Sequence, residues 1–334
     1  MKDFVKPYRV RVETLGCKVN QVDSAAMLTD LRAHGFVEAG EGDSADVVII
    51  NSCTVTANAD RDVRKMISRA RAENANALIA LTGCLSATGS SGQERADIVT
   101  GNLEKAFLTD LILEKIEGRS FSKTGKLGGF FGAGAVDLTG HARAFVKVQD
   151  GCNMSCAYCV VPLVRGRSRS RPVEGIVGEV RALHAKGYHE VVLTGVHIGQ
   201  FGEDSRPRES LAGLIRAILA DTDLPRVRIS SIEPFDVGDD LIAILAEDER
   251  LCRHLHIPLQ SGDDGVLARM RRPYRRADYL ELASRIAGAA PDTLIGSDII
   301  VGFPGETEKD FEQTLSLARE VEFDNAYIFK YSPR

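Results

Sequence analysis

Short apolar strands alternate with helical stretches along most of the chain, and this leaves few folds open, because strand and helix in turn build parallel sheets with helices packed on them. Three strands occupy the first hundred residues, at 8–15, 46–51 and 77–82, with helices at 20–34 and 58–73 and Gly35 where a C-cap glycine belongs. This is the pattern of an open α/β layer with a mostly parallel sheet. From 143 onward six strand-like segments, at 143–149, 190–194, 226–231, 253–259, 294–301 and 325–331, alternate with helical patterns such as 173–187 and 307–321. Six βα repeats predict a parallel, partial (β/α)6 TIM-like barrel with its functional groups at the C-terminal strand ends. Between the halves, 85–101 is rich in Gly and Ser, and 118–140 is Gly-rich with little periodicity. We therefore expect domains at 1–117 and 141–334 joined by a linker over 118–140. The second is expected to be truncated at its C-terminal end, since no helix follows its last strand.

The 334 residues carry 42 Lys and Arg against 47 Asp and Glu, a formal net charge of −5. No overall basic footprint exists, so any nucleic-acid contact must come from local patches. No run of eighteen apolar residues occurs, and MKDFVKPYRV lacks the apolar core of a signal peptide. A cytoplasmic protein without membrane contact is expected. Seven cysteines, an odd number without an export signal, speak against a disulfide framework and for metal or redox chemistry.

The strongest local signal is Gly151-Cys152-Asn-Met-Ser-Cys156-Ala-Tyr158-Cys159, a C-x3-C-x2-C loop directly after the first strand of the barrel half. Three thiolates can hold three irons of a four-iron cluster, leaving one iron open for a substrate or cofactor. S-adenosylmethionine fits that position through its amino and carboxylate groups, and its reductive cleavage would release a 5′-deoxyadenosyl radical. A structural zinc site is the competing reading, but it usually wants paired C-x2-C units and a fourth ligand, and no partner His or Cys lies nearby in sequence. A second trio, Cys17, Cys53 and Cys84, follows the first three strands immediately, each cysteine preceded by Gly or Ser. Carboxyl ends of parallel strands form the ligand crevice of such sheets, so the three thiols are expected on one edge, as a second cluster site. Cys252 has no motif around it and is expected in the core.

The segments Thr14-Leu-Gly-Cys-Lys-Val-Asn-Gln21, Asn51-Ser-Cys-Thr-Val-Thr56 and Thr82-Gly-Cys84, joined to the later cysteine loop, resemble the radical S-adenosylmethionine methylthiotransferases over essentially the whole chain. Within that family, TLGCKVNQ with NSCTVT looks like the branch that methylthiolates C2 of N6-threonylcarbamoyladenosine at position 37 of tRNA. Branches acting on isopentenyladenosine or on a ribosomal-protein side chain usually differ around the first two cysteines. The resemblance implies two [4Fe-4S] clusters, a radical cluster on Cys152, Cys156 and Cys159 and an auxiliary one on Cys17, Cys53 and Cys84. It also implies two roles for S-adenosylmethionine, one molecule as methyl donor and one as radical source. A tRNA substrate and a small electron-transfer protein as reductant follow as partners. It implies a small C-terminal RNA-binding β-barrel as well, which nothing after Tyr331 supplies. A non-enzymatic iron–sulfur or zinc RNA module is the remote alternative.

Candidate cofactor contacts are Tyr158, where the family has an aromatic beside the adenine; Gly195, whose strand end allows close backbone approach; Glu233, for ribose hydroxyls; and Gln260 and Gly302, which close later strands. Glycine turns between strand and helix are the plain alternative. His254 and His256 are expected as satisfied barrel histidines. Arg165, Arg167 and Arg169 just past the radical loop, and Arg271 and Arg272 in the second arginine cluster, are the candidate RNA contacts, against a solvated arginine face.

Overall fold

The computed structural model describes residues 7–40, 42–54, 57–88, 93–118 and 142–333. Two compact units emerge, Met1–Leu138 with Leu163–Gly166, and Thr139–Pro162 with Arg167–Arg334. Leu163–Gly166, expected in the second domain, groups with the first. The Gly-rich 118–140 stretch lies outside the described residues except for Gly118, which closes its helix in the left-handed conformation at φ 67°.

In the first unit the elements run β1 (Arg9–Thr14), α1 (Lys18–Ala33), β2 (Val37–Glu38), β3 (Val47–Ser52), α2 (Ala57–Glu73), β4 (Leu78–Gly83), β5 (Ile98–Val99) and α3 (Leu108–Glu117). All pairings are parallel, in the order β2-β1-β3-β4-β5. The run VVIINS of β3 is buried throughout, as a central strand covered on both faces must be. Its alternation sorts the faces. Val47 and Ile49 pack with Met27 and Leu31 of α1 and Leu108 and Ile112 of α3, while Val48 and Ile50 pack with Val63 and Ile67 of α2. The direction of winding reverses between β1 and β3, and in a doubly wound sheet of this order the ligand crevice opens at that switch point. Cys17 follows β1 and Cys53 follows β3, so the two flank it.

The second unit contains β6 (Ala144–Lys147), β7 (Gln149–Asp150), α4 (Val161–Arg165), whose last three residues belong to the first unit, β8 (Arg169–Ser170), α5 (Val173–Ala185), β9 (Glu190–Thr194), α6 (Leu211–Asp221), β10 (Arg226–Ile229), α7 (Asp239–Glu247), β11 (His254–His256), α8 (Asp264–Arg269), α9 (Arg276–Ala289), β12 (Leu294–Val301), α10 (Glu308–Val321) and β13 (Asn325–Lys330). The six expected strands form two parallel sheets, β10-β9-β6 and β11-β12-β13. Isolated parallel bridges, Val227 with Leu251 and Ser231 with His256, carry the order across from β10 to the β11 side. The result is the partial barrel. Helix starts follow side-chain chemistry: Ser210 accepts from Gly213 N before α6, Asp263 from Val266 N before α8, and Thr307 forms a capping box with Asp310 before α10. The sequence does not announce the short strands β2 and β5 or the antiparallel pair β7–β8, which brackets the cysteine loop.

Candidate active site: two cysteine triads

All seven cysteines are free thiols. Cys152, Cys156 and Cys159 occupy the loop between β7 and α4, after the first barrel strand. Two of the three sulfurs meet cationic side chains. Cys152 Sγ lies 3.3 Å from His197 Nδ1 and accepts from Met154 N at 3.4 Å, while Cys156 Sγ accepts from Arg272 Nη1 at 3.3 Å. Each cation is held from behind by a carboxylate of the short turn after β10. His197 Nε2 is 2.6 Å from Asp236 Oδ2, and the Arg272 guanidinium grips Glu233. Burial disfavours charge on His197, but Asp236 and the Cys152 sulfur outweigh it and raise its pKa to about 10. Burial also pushes the Cys159 thiol up to about 11, reinforced by the neighbouring Cys156 and Cys152. Three gathered thiols facing N–H donors are a donor set that a cationic iron core would stabilise as thiolates.

In the first unit, Cys17 is the N-cap of α1, at the helix end whose dipole favours an anionic ligand. Gly16, at φ 106°, lies so close to Cys53 that a Cβ there would stand 2.9 Å from Cys53 Cβ and 3.1 Å from its Sγ. Gly83, at φ 101°, lies on Ser52: a Cβ would meet Ser52 O at 2.4 Å. Cys84 N donates to Ser52 O at 3.0 Å. Only glycine permits these approaches, which explains the Gly-Cys pairs at both strand ends. Asn20 Nδ2 donates to Leu15 O at 2.7 Å and Ser52 O at 3.0 Å, and Asn51 Nδ2 donates to Asn20 O at 2.9 Å. Asn102 Nδ2 turns toward Cys84 Sγ at 3.7 Å. The three strand ends bearing cysteines are thus stitched together.

Among the described residues, no three His, Cys, Asp or Glu side chains surround a point where one ion would sit. A single zinc ion holds its thiolates at ~2.3 Å from one centre.

The remaining candidates divide. Tyr158 is half-buried and packs against Val266, Met270 and Phe303. Gly195 makes room for a neighbour: a Cβ would stand 2.8 Å from Gln149 Oε1, the atom that accepts from His197 N at 2.8 Å. Gln260 is buried at the end of the β11 segment with φ 64°, a left-handed backbone uncommon for a non-glycine residue, and its backbone bonds both Asp298 O and Ile300 N. Gly302 is an exposed turn glycine at φ 74°.

Glu233 is paired with Arg272, and its carboxyl remains partly exposed. Two arginines expected on RNA are elsewhere. Arg165, 2% exposed, bonds Asn20 Oδ1 and pairs with Asp23 at 3.5 Å, and Arg272, 6% exposed, is committed to Cys156 and Glu233. Arginine alternation does not reveal that carboxylates distant in sequence claim these two. Arg169 is partly buried near Asp150, whereas Arg167 and Arg271 are exposed. Cys252 is half-buried, not core. His197 was not singled out from sequence; its place two residues after Gly195 was the available signal.

A partial barrel with C-x3-C-x2-C after its first strand defines a radical S-adenosylmethionine protein, a class built on that cofactor and a [4Fe-4S] cluster. The Radical SAM superfamily profile matches residues 146–318, and that of Uncharacterized protein family UPF0004 matches 9–101. A threonylcarbamoyladenosine tRNA methylthiotransferase, MtaB, of Thermotoga maritima is 40% identical over 97% of this chain and 75% of its own. A tRNA-2-methylthio-N(6)-dimethylallyladenosine synthase of Clostridium novyi is 38% identical over 98% of this chain and 75% of its own. The chain therefore belongs to the radical S-adenosylmethionine methylthiotransferases, enzymes that transfer a methylthio group. Its fold is also that of the radical S-adenosylmethionine methyltransferase TsrM from Kitasatospora setae, solved with cobalamin and a [4Fe-4S] cluster: TM-score 0.71, 16% identity, 98% of this chain and 74% of that one. Among the described residues no helix is long and apolar enough to cross a membrane.

Proposed function

We propose that this enzyme places a methylthio group on C2 of N6-threonylcarbamoyladenosine at position 37 of tRNA, with 1–117 carrying an auxiliary cluster on Cys17, Cys53 and Cys84 and 141–334 carrying the radical cluster on Cys152, Cys156 and Cys159. The observation that carries this reading is the pair of cysteine triads, one at the ends of three parallel strands in the first unit and one in the loop that opens the barrel of the second. When bound, the clusters and two molecules of S-adenosylmethionine supply the electron, the radical, the sulfur site and the methyl group needed to replace an unactivated aromatic C–H. The protein's own residues hold and shield. His197 orients Cys152, Arg272 orients Cys156, and Asn20 fixes the strand ends before Cys17 and Cys53. Tyr158 in the cysteine loop, with Gly195, Gln260 and Gly302 after their strands, are the residues we assign to the S-adenosylmethionine seat. Glu233, paired with Arg272 and partly exposed, is the acceptor we assign to ribose hydroxyls in that seat.

Arg167 and Arg271, exposed, and Arg169, partly buried, are the candidate contacts for tRNA phosphates. The target base must be splayed out of its stack to reach the radical. A small electron-transfer protein in the cytoplasm would supply the electron.

The test is methylthiolation by anaerobically reconstituted enzyme of tRNA carrying N6-threonylcarbamoyladenosine or N6-isopentenyladenosine, read by mass spectrometry of digested nucleosides. Product on the first alone supports this reading. Product on the second alone moves the enzyme to the other tRNA branch, and product on neither, with a ribosomal protein modified instead, replaces tRNA as substrate.

A further inference from the structure

We propose that Arg272 is a positioning residue that sets the reduction potential of the cluster on Cys152, Cys156 and Cys159. This rests on the assignment of that loop as a cluster site and adds a device that governs it.

Arg272 follows α8, and its neighbour Arg271 has φ 59°, a left-handed turn that leaves Arg271 in solvent and Arg272 buried. The guanidinium is held on every side. Nη1 donates to Cys156 Sγ at 3.3 Å and approaches Glu233 Oε1 at 3.4 Å, Nη2 bonds Glu233 Oε2, and Nε donates to Tyr274 Oη at 3.3 Å. Tyr274 is itself fixed, donating to Leu259 O at 2.7 Å, and its ring lies 5.0 Å from Arg272 Cζ. Phe235 closes a further side at 5.9 Å.

An arginine cannot lose its proton in a protein, so a full positive charge is fixed beside a cluster ligand. Burying it is costly unless it is paired and hydrogen-bonded. Glu233 supplies the pairing, and the Phe235 and Tyr274 rings set the plane. One Nη1 N–H falls on sulfur. Hydrogen bonds to cluster sulfurs and nearby charge are among the determinants of iron–sulfur potentials. Gaining one electron adds one negative charge to the cluster, so a fixed cation at Cys156 stabilises the reduced form and raises the potential. The surface arginines do not have this geometry.

The test uses the full chain with C17A, C53A and C84A, so that only the radical cluster assembles. The parent, R272Q, R272K and R319Q, the last an exposed α10 arginine, are reconstituted anaerobically, checked for about four irons, and titrated at poised potentials without S-adenosylmethionine, the reduced cluster being read by electron paramagnetic resonance. For R272Q we expect about a tenfold fall in the reduced-to-oxidised ratio at a given potential, a shift of about 59 mV for a one-electron couple. R272K should fall between R272Q and parent, and R319Q should match the parent. An R272Q midpoint equal to the parent at equal iron content overturns the proposal. If R272Q does not hold iron, the R272K midpoint decides, and equality with the parent overturns it. A parent that assembles no cluster overturns the loop assignment itself, an outcome distinct from an iron-loaded R272Q with unchanged potential.

Discussion

The Asn20 side-chain amide donates to the Ser52 carbonyl oxygen at 3.0 Å, tying the helix that begins at Cys17 to the strand that ends before Cys53. The same nitrogen reaches Leu15 O at 2.7 Å. Asn20→Ala removes the donor from two carbonyls packed near the first cysteine triad. Leaving buried groups unpaired costs about 1–3 kcal/mol, which should appear as a lower urea midpoint. Iron after reconstitution should fall from about eight toward about four per chain, while S-adenosylmethionine cleavage persists.

Gly83→Ala should be among the more damaging single-methyl additions. Its Cβ would stand 2.4 Å from Ser52 O on a backbone at φ 101°, so overpacking and left-handed strain add. Gly35→Ala is the comparison, with φ 86° and nothing within 4 Å of its Cβ. It should cost only the left-handed strain, roughly 1–2 kcal/mol. Thermal unfolding of the two variants separates packing from backbone.

His197 spans Cys152 and Asp236, and ligand-orienting residues of this kind are typically worth about 10–100-fold in metal affinity or activity. His197→Ala should lose that much in 5′-deoxyadenosine formation. Gly199→Ala should show a similar loss without touching the histidine, since its Cβ would stand 2.1 Å from Asp236 Oδ2. Unchanged rates in both would remove His197 from the site.

Arginine burial makes a two-way prediction for tRNA. Arg167→Gln and Arg271→Gln, at exposed positions, should weaken binding across tRNA species and each reduce the slope of log affinity against log salt by about 0.7–0.9. Arg165→Gln should leave that slope unchanged. It should destabilise the fold instead, by about 1–3 kcal/mol, because buried Asn20 Oδ1 loses its charged donor, while Asp23 keeps Lys105 at 2.8 Å. Filter binding over a salt series, with unfolding of the same proteins, distinguishes the two.

The backbone was legible because parallel strands announce themselves: the expected 190–194 and 294–301 coincide with β9 and β12, and the first three strands differ by about a residue at each end. The cysteines were legible because Cys17, Cys53 and Cys84 follow strand ends and Cys152, Cys156 and Cys159 share one tight spacing. What surrounds them was not. Arg271 and Arg272 are adjacent and chemically identical in sequence, and only the left-handed turn at 271, with Glu233 39 positions away, sends one to solvent and the other to Cys156. The pairing of Glu233 with Arg272 and the close approach of Gln149 to Gly195 are hidden from sequence for the same reason. Such pairings are made by the barrel bringing distant strand ends together, and no local pattern encodes them.

The most direct measurement is iron and sulfide per chain, followed by S-adenosylmethionine cleavage and tRNA methylthiolation, for the anaerobically reconstituted protein and for its C17A/C53A/C84A variant. About eight irons with both activities are expected for the unaltered chain, and about four irons, with cleavage retained and methylthiolation lost, for the variant. A variant that still methylthiolates tRNA, or an unaltered chain that takes up only about four irons while remaining fully active, would contradict the assignment of two triads to two clusters.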